Sequence, residues 1–130
     1  MARIDWAVLC DLAFFDRQDR LCVIGVVERL PAPSLPLAIN QMMLVARLTD
    51  LRLVEEIGIS VAVITPDGSI IFSDDCVIEM VHEYVLVTVR SVPLREEGLY
   101  RFRIALTSQA PVYIDVPVLS LAHRPVALPH

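Results

Sequence analysis

Apolar residues recur at every second position through several short stretches, and clusters of Pro, Gly, Asp and Ser separate those stretches. No long segment carries helical periodicity, and there is no internal repeat or low-complexity tract. The pattern predicts strands at about 4–14, 21–30, 40–48, 56–65, 69–73, 84–92, 98–107 and 111–119. The segment "PAPSLP" cannot sustain a central strand, because each proline removes a backbone donor, so it reads as a crossover between sheets. Residues 49–55 read as a loop, with room for one helical turn after Asp50. The stretch "SDDCVIEMVHE" connects the fifth and sixth strands, with or without further strand. The expected architecture is a single all-β domain over 1–120, a sandwich of seven to nine mostly antiparallel strands. Residues 121–130 are expected to be an extended or disordered arm.

Two turns decide which faces are apolar. "TPDG" places Pro66 and Asp67 at the centre of a type I turn and Gly68 in the left-handed region, as in a bulged hairpin. That turn predicts Thr65 opposite Ser69 and Val63 opposite Ile71. Val61, Val63 and Ile71 would then share one face, and Ala62, Ile64, Ile70 and Phe72 the other. A two-residue turn would instead set Val63 opposite Phe72, but would ask Pro66 for an N–H it lacks. Both faces of this hairpin are apolar, which predicts burial on both sides.

In "GLYRFRIAL" Tyr100, Phe102 and Ile104 alternate with Arg101 and Arg103, so the arginines face water. For the apolar set of the next strand to share the buried face, paired residue numbers must sum to an even number. A three-residue turn at 108–110 gives 218 and sets Arg103 opposite Asp115. The expectation is a cross-strand ion pair rather than a ligand site.

Composition adds a reason to expect self-association. The 130 residues are 55 % hydrophobic and 21 % charged, with mean hydropathy +0.60. No apolar run approaches the ~20 residues that a membrane-spanning helix needs. Apolar surface covered by a second copy, or by another protein, accounts for the excess, with Ile64, Ile70 and Phe72 as the surface concerned. Net charge is −5, and all eleven basic residues are arginine, in no cluster. That excludes a nucleic-acid footprint. Asp5 and Asp11 break the apolar N-terminus, so it reads as a first strand in a cytoplasmic protein rather than a signal peptide. Cys10, Cys22 and Cys76 form no metal or redox spacing and are expected as free thiols.

The entry "REEGLYRF" resembles the start of the penultimate strand of immunoglobulin-like sandwiches. In those folds a tyrosine hydroxyl returns to upstream backbone, and the matching residues here are Gly98 and Tyr100. Phe102 stands where those domains carry a cysteine, so the resemblance concerns architecture alone. "AVLCD", "RLCVIGVVERL", the proline-rich crossover and "PDG" together resemble a family of small bacterial proteins of unknown function. That resemblance implies one compact β domain and brings no catalytic residues and no ligand.

Candidate chemistry is sparse. Asp74, Asp75, Glu79 and His82, with Cys76 and Glu83 beside them, could offer ligands to a divalent cation if a bulge gathered them. Their spacing matches no EF-hand loop and no H-E-x-x-H helix. Asp11, inside an apolar strand, would need backbone amides or an arginine if buried. There is no nucleophile elbow, and the four glycines are dispersed, so no phosphate loop is formed. The sequence reading is therefore a non-enzymatic, cytoplasmic binding or assembly module without cofactor. A small-ligand or cation-binding domain around Asp74–His82 is the alternative, and a hydrolase the remainder.

Overall fold

A computed structural model of the chain describes residues 2–52, 55–107 and 109–121. Those residues form nine strands: β1 (Arg3–Phe15), β2 (Leu21–Val26), β3 (Leu30–Ala32), β4 (Leu37–Thr49), β5 (Glu55–Ile64), β6 (Ile70–Met80), β7 (Tyr84–Leu94), β8 (Gly98–Leu106) and β9 (Val112–Ser120). They lie in a four-stranded sheet, ordered β2-β1-β4-β7, and a five-stranded sheet, ordered β3-β9-β8-β5-β6. The five-stranded sheet curls into a half-barrel. Neighbours are antiparallel except β3 and β9. The all-β expectation holds, and alternation explains the core. Leu9, Leu44 and Val87 from one sheet meet Val61, Phe102 and Val116 from the other. Each such side chain contributes about 1.5–3 kcal/mol when fully buried.

The proline-rich segment does cross between sheets, and on the way it lays down β3. Pro31 sits there on an edge strand, where a missing N–H costs no ladder bond. The stretch expected as a connection is mostly strand: β6 continues through Asp74–Met80 because the first half of β5 needs a partner, from Val61↔Asp74 to Glu55↔Met80. Of the loop expected at 49–55, Thr49 ends β4, Asp50–Arg52 are not strand, and Glu55 begins β5, while residues 53 and 54 lie outside the described residues. The expected arm at 121–130 falls outside them too, from residue 122 onward.

Two hairpins use one turn. In the first, Thr65 N–H donates to Ser69 O at 2.8 Å and Gly68 N–H to Thr65 O at 2.9 Å, with Gly68 at φ 92°. In the second, Asp16 N–H donates to Arg20 O at 2.9 Å and Asp19 N–H to Asp16 O at 3.0 Å, with Asp19 at φ 57°. Both are type I turns closed by a left-handed residue. The Asp16 carboxylate accepts bonds from the amides of Gln18 and Arg20, and these hold its pKa below the ordinary carboxylate range, the Arg20 amide contributing most. The "TPDG" turn is thus the one expected, but a second bulge beyond it changes the faces. Ile64 pairs with Ile70, the register shifts, and Val63 pairs with Phe72. Phe72 therefore packs against the main core with Val61 and Val63, and Ile71, in the bulge, packs against the same core as expected. Gly68 has open space around its absent side chain. Gly68→Ala therefore carries only the backbone cost of a positive φ, and is expected to lower stability by about 1 kcal/mol. A chemical denaturation curve with an unchanged midpoint would contradict that assignment.

β8 and β9 share their buried face as expected, with a register sum of 216 rather than 218. Asp115 is opposite Arg101, and Arg103 faces Tyr113. The ion pair on this face is Arg101 Nε to Asp115 Oδ1, at 3.0 Å, and the Arg101 guanidinium lies 4.1 Å from the centre of the Tyr113 ring. The strands are joined through residues 107–111, of which 108 lies outside the described residues. The tyrosine corner is present: the buried Tyr100 hydroxyl donates to Glu96 O at 3.0 Å and accepts from Glu96 N–H at 3.4 Å.

β1 is bent double. Nine residues of straight strand would separate Trp6 from Phe15 by about 30 Å and place them on opposite faces. Yet their rings lie 6.1 and 6.2 Å from the same Tyr84 ring. The β1–β2 hairpin folds back over the outer face of the four-stranded sheet. Its Ala13, Leu21 and Val23 join Val8, Cys10, Met43, Val45 and Leu86 in a second, smaller core. Gly25, at φ 71°, lies at the bend, where any Cβ would collide with the Asp11 carboxylate. Asp11 itself is exposed, so the partner that burial would require is not needed.

Candidate interaction surface

The folded hairpin has an inner and an outer face. Because Ala13, Phe15, Leu21 and Val23 turn inward, their neighbours Leu12, Phe14, Cys22, Ile24 and Val26 turn outward. Leu12 pairs with Ile24 and Phe14 with Cys22, so these outward residues form one block across two strands, with Val26 exposed beyond Ile24. Leu12, Phe14, Ile24 and Val26 are 43, 42, 52 and 56 % exposed. Four large side chains at about half exposure present about 350 Å² of apolar surface, within the range of the largest patch on soluble monomers. β2 is also the edge of its sheet, so backbone donors and acceptors border the patch. The signal was in the sequence: "VLCDLAFF" and "LCVIGVV" are apolar at both odd and even positions.

The surface expected at Ile64, Ile70 and Phe72 is not formed as one patch. Ile64 and Ile70 share the outer side of the turn, Ile70 being exposed, while the bulge at Ile71 sends Phe72 inward. The four cation-ligand candidates also separate. Asp74 and Asp75 project to opposite sides of β6, Glu79 follows Asp75 one full strand segment away, and His82 lies in the turn beyond. Among the described residues no group of three or more His, Cys, Asp or Glu could hold a metal ion. Asp74, Asp75 and Glu79 instead place charge along an exposed edge strand.

All three cysteines are free. Burial pushes the Cys76 thiol up, reinforced by Asp74 and Asp75, and burial with Asp11 does the same for Cys10. Neither thiol is poised as a nucleophile.

Beside the hairpin tip lies an open cleft of about 360 Å³, lined by Phe15, Asp19, Val81, His82, Glu83 and Tyr84. The Phe15 and His82 rings are 4.6 Å apart, and His82 Nδ1 accepts the Tyr84 N–H at 3.1 Å. Of these residues, His82 and Glu83 belong to the group that the sequence offers to a divalent cation.

Residues 5–118 match the family of unknown function DUF6941. The chain belongs to that family. The match runs from early in β1 to late in β9, so the DUF6941 region contains the folded hairpin as well as both sheets. It bears out the resemblance seen in "AVLCD", "RLCVIGVVERL" and "PDG". No curated protein matches the chain. Among the described residues no helix is long and apolar enough to cross a membrane.

Proposed function

We propose that this DUF6941 protein is a non-enzymatic, cytoplasmic binding or assembly module that associates with a second copy of itself. The observation that carries the reading is the outward block of Leu12, Phe14, Ile24 and Val26 on an edge hairpin. Covering several hundred Å² of it offers several kcal/mol at about 25 cal/mol per Å². Rigid-body entropy offsets much of that, so area does not set the affinity. Light scattering at micromolar concentration is expected to give a mass near twice 14.5 kDa. Phe14→Glu, at an exposed position, is expected to return the protein to monomer with its β-type circular dichroism unchanged. A wild-type monomer would refute the reading. The alternative, a divalent-cation site on Asp74, Asp75, Glu79 and His82, has no shared geometry in its favour.

The finer architecture is read as immunoglobulin-like. In such domains strands A, B and E share one sheet, while C, F and G share the other, joined by C′ in the variable type. Taking β1, β4 and β7 as A, B and E, and β6, β5, β8 and β9 as C′, C, F and G, is consistent with the neighbours in both sheets. The tyrosine corner then falls on F, as it does in those folds. The folded hairpin and the curl of the five-stranded sheet are departures from the pattern.

A further inference from the structure

We propose that the cleft at the hairpin tip binds the guanidinium group of an arginine side chain or a small arginine-like ligand. The cleft has two jaws. The hairpin tip supplies Phe15 and Asp19, and the turn between β6 and β7 supplies Val81, His82, Glu83 and Tyr84. Its size, about 360 Å³, is near the lower end for ligand sites and suits one side chain rather than a cofactor. Aromatic faces attract cations, and a flat guanidinium both stacks on a ring and donates in parallel to a carboxylate. Phe15 and Tyr84 provide the rings, 6.2 Å apart. Asp19 and Glu83 provide a carboxylate on each jaw.

Arg20 Nε is 2.8 Å from Asp16, and Arg47 is 2.7 Å from Asp5, its main partner, with the Glu83 charge acting on it more weakly. Among the described residues neither Asp19 nor Glu83 makes an ion pair. Both jaws are anchored through backbone. Asp19 is held by its turn bond to Asp16 O, and Glu83 O accepts the Leu48 N–H at 2.7 Å. Asp19 sits at a positive φ, a conformation in which aspartate and asparagine are both enriched.

The test is a titration of the intact protein with N-acetyl-argininamide at low salt. It is followed by amide shifts in proton–nitrogen spectra and by fluorescence of Trp6, whose ring is 6.1 Å from Tyr84. Saturable shifts confined to residues 15–20 and 81–84 are expected, with millimolar affinity and none for the neutral isostere N-acetyl-citrullinamide. The Asp19→Asn, Glu83→Gln double variant removes both charges at surface positions and keeps a residue suited to the turn. It is expected to weaken binding by about ten-fold or more, the scale on which the loss of two charge-assisted bonds is read. A blocked Gly-Arg-Gly peptide run in parallel identifies the source. Tighter binding than argininamide indicates a protein side chain, weaker binding a small molecule, and either upholds the site. No shifts with argininamide, equal binding of citrullinamide, or unchanged affinity in the double variant would each overturn it.

Discussion

Phe102→Ala is expected to lower the stability of folding by about 3–5 kcal/mol, the range for emptying a buried aromatic site. Phe102 is fully buried at the middle of the five-stranded sheet. It pairs with Val63 on one side and Ile114 on the other, so its ring fills the space where three strands face the second sheet. Rigid ladders on both flanks limit how far the cavity can collapse. Domains of this size hold only about 5–15 kcal/mol in total, so the variant would sit near the edge of folding at 37 °C. Urea denaturation measures the loss directly. The comparison is Phe14→Ala, the same chemical change at an exposed position, which is expected to cost far less in the monomer. Equal losses in the two variants would contradict the assignment of inner and outer faces.

Gly98→Ala is expected to cost about 3 kcal/mol, several times the cost at Gly68. Gly98 opens β8 at φ 135°, a region that glycine alone occupies freely, and forcing another residue there costs about 1–3 kcal/mol. A Cβ at this position would also lie 2.8 Å from Pro66 Cγ and 3.0 Å from Pro66 Cβ. The start of β8 is therefore wedged against the turn between β5 and β6. Pro66→Ala removes the nearer atom, so the double variant should lose less than the sum of the singles, because the two sites share a contact. Strict additivity in a double-mutant cycle would show that backbone strain alone is responsible.

Much of the fold was legible because side-chain alternation reports which residues share a face. It marked the strands, the buried set Tyr100, Phe102 and Ile104, and the proline crossover. The turn at Thr65–Ser69 was legible for a local reason: proline and glycine admit few backbone angles. Tyr100 was legible because its hydroxyl acts over only four residues, reaching Glu96.

What alternation could not report is position along a shared face. A slip of two residues leaves every side chain on its own side, so sums of 216 and 218 look alike in the sequence. In the structure Thr107 extends the pairing of β8 with β5, its N–H bonding Gly58 O at 3.0 Å, and the connection to β9 spans 107–111 rather than 108–110. Asp115 thereby comes to Arg101 rather than Arg103.

Bulges defeat alternation in the opposite way, by exchanging the faces. Around Ile70, Ile71 and Phe72 all three residues are apolar, so nothing local distinguishes the two arrangements, and pairing with Val63 sent Phe72 inward. The same degeneracy hid the bend in β1, where Cys10 to Phe15 are apolar on both sides apart from Asp11. Composition and alternation determined an all-β chain with more apolar surface than one core can take up. Where that surface went was decided by contacts between residues far apart in the chain: Ala13 and Val23 against Val45, and Phe15 against His82. Such contacts depend on the three-dimensional path of the whole sheet, which no local run of residues encodes.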